Sequence, residues 1–457
     1  MFRLFIAFVF FALTACDSED KEASRKVVSL TSPSGQAFHF MPIYEDGVTD
    51  ITLRIAWPSN WGRTEGLNPA VPYVGADLIL SGGTEALKPQ DILEKFEDNN
   101  AYGFLNASPD YVFGELGFPK EHIDETVEIA AEMQANPQLN EQWMDRIKGG
   151  FVSNVTKARS QSSSAMWSAA RQVVLGPTQL FKSTDLLVAD DIMAITQEDI
   201  QNWHAETFTK TGMTIVITGA IQPEKAGEIV DTVIAKLPEG RPVDVITDAA
   251  DFSPVTILIH RAEAEKTTIG LMGQLPPTSE GDGPEDLLAS RILSGANGPL
   301  FNAIRTELRA TYGLKAGYMN FTRAIRPMIV FGEVETNQLA EARDVILQTY
   351  EEFRLDPDLR GLNEMRDDLA TKTEENVGYV DVAAQVMMEK LLDGLDPLEV
   401  PTLHKTYDAV TADVMKARLQ DHFPPADQLI VIAVSPDETA LPGACIITDI
   451  NAAFDCR

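Results

Sequence analysis

Cysteine, histidine and positive charge are scarce in this chain of 457 residues, which has three cysteines and six histidines. Its 37 Lys and Arg residues are outnumbered by 69 Asp and Glu residues, so the formal net charge is −32. Such an acidic surface repels nucleic acid and anionic lipid headgroups, and nucleic-acid binding is therefore excluded. The histidines are His39, His122, His204, His260, His404 and His422. No two of them lie within one helical turn, so the chain has no local metal motif, although a site assembled from distant residues stays open as an alternative.

Long apolar runs are also missing, apart from residues 4–15, and that run is too short to cross a bilayer. It follows a single arginine and ends in LTAC, with Cys16 as the last letter, which resembles the bacterial lipobox. We therefore expect residues 1–15 to be a lipoprotein signal peptide, Cys16 to carry lipid and residues 16–26 to be a polar tether. The alternative is an ordinary secretory signal with a chance cysteine. Asp17 resembles an inner-membrane retention signal, so we expect a lipid-anchored protein of the bacterial periplasm, at the inner rather than the outer membrane.

The two remaining cysteines, Cys445 and Cys456, lie close together near the C-terminus. An even pair in an exported chain predicts a disulfide that closes a small loop, because exported proteins meet an oxidising environment. Two free thiols are the alternative. The bond would hold the C-terminal tail in place and carry no chemistry.

The chain contains an internal repeat. Residues 196–217 align without a gap with residues 411–432, and the sequence ILSG occurs at both 79–82 and 292–295. Matches at nearly one offset indicate the tandem duplication of a unit of about 200 residues.

Each repeat has an α+β pattern, with an alternating strand at its start and a Thr-capped helix before its last strand. We predict an α+β fold of two homologous halves, each a mainly antiparallel sheet with packed helices. Residues 27–240 would form the N-terminal half, 241–254 a linker rich in proline and acid, and 255–457 the C-terminal half. A unit of this size can bury a core, so we expect each half to have its own core and to face the other around the linker.

Three stretches of the sequence resemble segments of a known protein family. They are GFLNASPDYVFGEL, FTKTGMTIVITGAIQPEKAGEIVDTVIAKLPEG and LFNAIRTELRATYGLKAGY. Each resembles a segment of the M16 peptidases, the pitrilysin- and insulinase-like metallopeptidases that include the mitochondrial processing peptidases. The resemblance covers nearly all of the chain after residue 27. It implies a clamshell of two α+β halves that enclose a chamber for unfolded peptides.

The resemblance places the family's zinc helix on residues 68–84, where the metal ligands are missing. Val74, Asp77 and Leu78 occupy the positions of H-x-x-E-H, which supplies two imidazoles one helical turn apart and a carboxylate that activates water. Valine and leucine have no ligating atom. The downstream stretch GGFVSNVTK, where the family has its third ligand, offers a serine and an asparagine but no acid.

The resemblance also implies substrate-binding residues. Arg305 and Tyr312 match an arginine and a tyrosine that contact the carbonyl of the scissile peptide in the family, and both are donors suited to that oxygen. A surface arginine and a core tyrosine are the alternative. Asn106 and Ala107 match the edge strand that accepts substrate as an added strand. Pro109 departs from that pattern, and an edge blunted by proline is the alternative.

These expectations combine into one hypothesis of function. We expect a non-catalytic subunit, a pseudoenzyme, that binds and orients peptide for a zinc-bearing M16-like partner in a periplasmic heterodimer. We expect no peptidase activity from the chain alone, no cofactor in it, zinc only in the partner subunit, and membrane contact only through the lipid anchor. A stand-alone peptide-binding or scaffold protein is one alternative. An active zinc metallopeptidase with an unrecognised metal site is the other.

Overall fold

The structure is a computed structural model that describes residues 25–45, 47–185, 188–280, 283–304 and 313–457. The predicted signal peptide and the predicted lipidation site at Cys16 lie outside these residues, and so do Arg305 and Tyr312. None of the described helices combines the length and the apolar character that crossing a membrane requires.

One sheet carries the first half. Its strands are β1 (Val28–Thr31), β2 (Ala37–Pro42), β3 (Asp50–Pro58), β4 (Tyr102–Ala107), β5 (Tyr111–Pro119) and β6 (Thr214–Gly219). The spatial order of these six strands is β1-β2-β6-β3-β5-β4. Only β2 and β6 run parallel; the other neighbours are antiparallel.

The second half repeats this plan. Its strands are β7 (Thr256–His260), β8 (Thr267–Leu275), β9 (Gly313–Tyr318), β10 (Arg326–Val334), β11 (Ile430–Ser435) and β12 (Cys445–Ile447). They form a second six-stranded sheet in the order β12-β7-β11-β8-β10-β9. Apart from the outermost strands β1 and β12, the two orders match strand for strand, including one parallel pair in each. The predicted α+β fold of two homologous halves is confirmed, while the predicted domain boundaries stay predictions.

Helices cover both sheets. Those of the first half are α1 (Val71–Ser81), α2 (Pro89–Asp98), α3 (Ile123–Ala135), α4 (Glu141–Ser160), α5 (Ser162–Leu175), α6 (Gln179–Thr184), α7 (Ala189–Ala194), α8 (Gln197–Thr207) and α9 (Pro223–Ile234). Those of the second half are α10 (Pro284–Ser294), α11 (Leu339–Leu355), α12 (Leu362–Asn376), α13 (Val380–Leu392) and α14 (Ala412–His422), with a single turn at Pro299–Phe301. As predicted, the side chains of Thr196 and Thr411 cap α8 and α14. Residues 241–254 form neither helix nor strand.

The two halves exchange one helix each. In each half most helices pack on one face of the half's own sheet, and the opposite face is covered by a helix from the other half. Helix α5 of the first half lies on the second sheet, where Met166 and Val173 join a cluster with Ile432. Helix α13 of the second half lies on the first sheet, where Met387 joins a cluster with Val216. Each half therefore has a core cluster of its own, as expected from its length, and the other half supplies the helix that covers the second face of its sheet.

Close packing explains a glycine at one of these contacts. Gly270 lies in the middle of β8, where glycine normally weakens a strand. A Cβ atom at this position would lie 2.6 Å from the sulfur of Met166 on α5. The missing side chain thus lets the exchanged helix approach the sheet backbone.

Two local details differ from the sequence-based expectations. Helix α1 covers Val71–Ser81 rather than the whole of residues 68–84, and before it the Asn68 side chain accepts a hydrogen bond from the Ala70 N–H at 2.9 Å in a turn. Pro109 lies in the turn between β4 and β5, so it removes no donor from the edge strand.

The predicted disulfide between Cys445 and Cys456 is present, with an S–S distance of 2.04 Å. It closes the C-terminal segment, which packs against α5. In this segment the Asn451 carbonyl accepts a hydrogen bond from the Gln172 side chain at 2.7 Å, and Arg457 donates to the Val173 carbonyl at 3.0 Å. The stapled tail therefore helps to hold the exchanged helix.

Candidate functional site

Helix α1 holds the three positions of the missing zinc motif. Val74 and Leu78 are fully buried in the main core of the first half, whereas Asp77 is exposed. Although the Asp77 side chain reaches solvent, neighbouring protein atoms partly desolvate its carboxyl and raise its pKa above the ordinary value. The two positions that would carry imidazole ligands thus serve the hydrophobic core.

The helices around α1 also contribute side chains to the hydrophobic core. A Cβ atom on Gly75 would lie 2.4 Å from the Trp203 ring, so α1 and α8 are in direct contact. Helix α4 contributes Val155 to the same core, while Ser153 and Asn154 are exposed. Within the described residues, no group of three or more His, Cys, Asp or Glu side chains could hold a metal ion. That the chain carries no cofactor stays a prediction.

His204, the neighbour of the core residue Trp203, has a structural environment. His204 on α8 stacks on Phe208, with ring centres 4.9 Å apart, and its Nε2 lies 2.7 Å from the Gln134 carbonyl oxygen. Burial lowers the pKa of His204 below its ordinary value. A neutral, stacked imidazole bonded to the backbone is a packing element.

Strand β4 forms the free edge of the first sheet, beside α1. On one side Asn106 pairs with Phe113 and Ala107 with Val112, and no described strand pairs with the other side. Its sequence YGFLNA contains no charge and no proline, which are devices that usually block an exposed edge. The equivalent edge strand β9 carries an exposed lysine, Lys315. Strand β4 is thus an uncharged edge whose outer backbone groups have no partner among the described strands. The substrate-binding role of Asn106 and Ala107 stays a prediction.

A charged cluster lies on one face of this edge. Arg54 of β3 pairs with Glu115 of β5, and both side chains are largely buried. The Tyr102 hydroxyl donates to Glu115 at 3.1 Å, and burial together with the Glu115 charge raises the pKa of Tyr102 to about 12. The Arg54 guanidinium also lies 5.6 Å from the centre of the Phe104 ring. This cluster was not predicted from the sequence, although an arginine inside the apolar strand DITLRIAWP was a signal for it.

Comparison with known proteins identifies the fold that carries this edge. Residues 194–367 match a family model described as the peptidase M16 inactive domain. The chain is M16-like. The peptidase M16 inactive domain from Pseudomonas fluorescens is 16% identical to it over 90% of this chain and 98% of that one, with a TM-score of 0.78. No curated protein matches the M16-like chain significantly.

Two larger proteases also share the fold. The periplasmic protease PqqL from Escherichia coli is 14% identical, with 94% of this chain and 50% of PqqL covered and a TM-score of 0.71. A mutant of the ferredoxin protease FusC, in complex with Arabidopsis ferredoxin, is 12% identical, with 91% of this chain and 45% of FusC covered and a TM-score of 0.74. The M16-like chain thus spans about half the length of these two proteases.

The second predicted pair of substrate-binding residues in the M16-like chain, Arg305 and Tyr312, lies outside the described residues. In sequence the pair falls between Ile304, which is fully buried, and the edge strand β9. Its role therefore stays a prediction from the family resemblance.

Proposed function

We propose that this M16-like chain is a non-catalytic subunit that binds an extended peptide segment and orients it for a zinc-bearing M16-like partner in the periplasm. The observation that carries the proposal is the free edge of β4, an uncharged strand without an outer partner among the described residues. A peptide that adds to such an edge gains main-chain hydrogen bonds whatever its sequence. Since α1 has Val74 and Leu78 where zinc ligands would stand, cleavage of that peptide requires metal from another chain.

The size of the chain supports a second subunit. It covers 98% of the Pseudomonas fluorescens domain but 50% of PqqL and 45% of FusC, so two such chains would equal one of these proteases. The complex of FusC with ferredoxin supports a protein substrate for the larger assembly. Helices α5 and α13 tie the two halves of this chain together, so a chamber that opens and closes forms more easily against a second chain than between them.

A scaffold role is the second candidate. It is favoured by the complete burial of Val74 and Leu78, which makes α1 a purely structural helix. A scaffold would leave the β4 edge unused. Binding of peptide at this edge therefore discriminates between the two functions.

The first prediction concerns backbone recognition. We expect the purified chain to bind a fluorescein-labelled decapeptide of threonine and alanine, because the β4 edge forms hydrogen bonds only with main-chain donors and acceptors of the peptide. N-methylation of consecutive residues should weaken binding about tenfold or more, since it removes several hydrogen bonds that each contribute about 0.5–1.5 kcal/mol. Fluorescence anisotropy measures the affinity.

The matched control peptide carries the same number of N-methyl groups at alternate residues. Alternate N–H groups of a strand point to the same side, so this peptide keeps one intact edge and should bind almost as well as the unmodified one. If the two methylated peptides bind equally, or if no peptide binds, strand addition is wrong and the scaffold role stands.

The second prediction concerns the shared active site. Arg305→Ala and Tyr312→Phe should each lower the peptidase rate of the complex with the zinc-bearing partner by about 10²–10³-fold, because each removes a donor to charge that develops on the scissile carbonyl. Thermal melting and partner binding should not change. Full activity of both variants would contradict the shared site.

The third prediction concerns the lipid anchor. Cys16→Ser should move the protein from the membrane fraction to the soluble fraction or stall its processing, because the serine side chain cannot form the thioether to lipid. Ser18→Ala in the neighbouring tether is the control and should remain with the membrane. If the Cys16→Ser protein fractionates and migrates like the wild type, the lipoprotein prediction is wrong and the ordinary secretory signal is the remaining interpretation.

A further inference from the structure

A cavity of about 790 Å³ lies in the first half beside the edge strand. Its walls are mostly apolar side chains from β3, β5, α1, α2 and α3, among them Leu53, Ile55, Ile92, Leu116 and Met133. Ligand pockets of about 300–1,000 Å³ with a mainly apolar lining are typical of binding sites. None of the site residues predicted from the sequence lines this cavity.

Helix α2 accounts for the empty space. Its buried Ile92 packs with Ile129 and Met133 of α3 in a small cluster that is separate from the main core of the first half. Side chains of both clusters line the cavity. At the surface, the Lys95 ammonium of α2 pairs with the Glu125 carboxylate of α3 at 2.5 Å, which links the solvent-facing side of α2 to α3. The cavity is thus the gap between a sheet and a helix that is packed mainly on its neighbouring helix.

The cavity reaches the surface at the edge strand, where the consecutive residues 102–105 line it. Gly103 has no side chain, and a Cβ atom there would lie 3.5 Å from the Phe96 ring of α2. The Phe96 ring therefore lies over Gly103, and no β4 side chain stands between α2 and the backbone of the strand at this residue. Leu93 of α2 lines the cavity and is 53% exposed, so the rim is apolar as well.

Side chains of a strand alternate between its two faces. In β4, Gly103 and Leu105 belong to the face that packs against the helices and the cavity, whereas Tyr102 and Phe104 belong to the face of the charged cluster. A strand added beside β4 continues this alternation, so every second side chain of the added peptide lies on the cavity face.

We propose that this cavity accepts those side chains, and that the chain therefore selects extended peptides with large aliphatic or aromatic residues at alternate positions. The inference rests on the proposed function, because it needs a peptide bound as an added strand. We expect no such preference for the peptide side chains on the opposite face. There Arg54 and Glu115 already pair with each other, and the Phe104 ring lies over the Arg54 guanidinium.

The experiment compares peptides of one length by fluorescence anisotropy with the whole chain. The base probe is the decapeptide of threonine and alanine. A second probe has leucine at every second position, and a third has the same leucines in one contiguous block. The alternating probe should bind about 10- to 100-fold more tightly than the base probe, as expected for burial of apolar side chains. The block probe should gain much less, because half of its leucines lie on the other face.

Filling the cavity should abolish the selectivity. Ala130 of α3 lines the cavity, so Ala130→Phe should remove the gain for the alternating probe and leave binding of the base probe unchanged. Glu128→Phe, an exposed position on the same helix, is the matched control and should keep the gain. If Ala130→Phe does not fold, Ser81→Phe tests the same point, because Ser81 lines the cavity with an exposed side chain.

The outcomes separate the two proposals. Loss of all peptide binding, or no effect of consecutive N-methylation, overturns strand addition itself. Retained binding of the base probe with equal affinity for the alternating and block probes overturns the cavity proposal alone. A gain that survives both filling variants also overturns it.

Discussion

Neither half of this chain is expected to fold when it is expressed alone. A fragment of residues 25–254 lacks α13, which covers Met41, Ile43 and Val216 on one face of the first sheet, all three fully buried in the whole chain. A fragment of residues 255–457 lacks α5 and exposes the corresponding face of the second sheet. Large exposed apolar faces lead to aggregation. Each fragment should therefore be insoluble or bind a hydrophobic dye, with no cooperative thermal transition by circular dichroism.

The two fragments should recover a soluble complex when they are expressed together, because each supplies the helix that the other lacks. Ala384→Asp, which places a charge on the buried face of α13, should prevent recovery. Gln385→Asp, at an exposed position of the same helix, should not. A cooperative transition in one isolated fragment would show that the exchanged helices are dispensable.

Asp286→Asn is expected to lower the free energy of unfolding by about 3–5 kcal/mol, because it leaves buried positive charge without a carboxylate. Asp286 and Arg326 are both fully buried, with Oδ2 and Nη1 2.6 Å apart. Arg418 of α14 also donates to this carboxylate, with Nε and Oδ1 2.8 Å apart. Among the described residues, Nε and Nη2 of Arg326 have no hydrogen-bond partner. The Asp286 carboxylate therefore provides most of the negative charge that balances the buried positive charge of Arg326.

Urea unfolding of the whole chain measures the effect. Glu285→Gln removes the same charge from the preceding, half-buried position and should change stability by no more than about 0.5 kcal/mol. Adding Arg326→Met to Asp286→Asn should restore part of the loss, because it removes the uncompensated guanidinium. A loss below about 1 kcal/mol for Asp286→Asn alone would contradict the buried-charge account.

Local signals explain which parts of this fold could be predicted. The duplication was visible because Thr-capped helices and β-branched strands recur at one spacing, and both Thr196 and Thr411 cap helices in the structure. The disulfide followed from two nearby cysteines in a chain that we expect to be exported. The edge strand containing Asn106 was found through the family resemblance, although Pro109 proved to lie in the turn that follows it.

Features that depend on distant contacts could not be predicted. The apolar side of α5, with Met166 and Val173, predicts burial but does not say which sheet covers it. The cavity depends on where α2 packs, which the amphipathic sequence PQDILEKFED leaves undecided. The pairing of Arg54 with Glu115 joins strands whose register comes from the whole sheet. In each case the local pattern fixed the element, and tertiary packing fixed its partner.

During synthesis, the first sheet leaves the ribosome long before residues 380–392 do. Chains made of consecutive domains usually fold from the N-terminus as each domain emerges. That route cannot be completed here, because the face of the first sheet around Met41 and Val216 stays uncovered until α13 arrives. Contacts between segments so far apart in sequence also form slowly. The nascent chain therefore carries an apolar surface until the second half is made, and such a transiently exposed surface is a place where aggregation can begin.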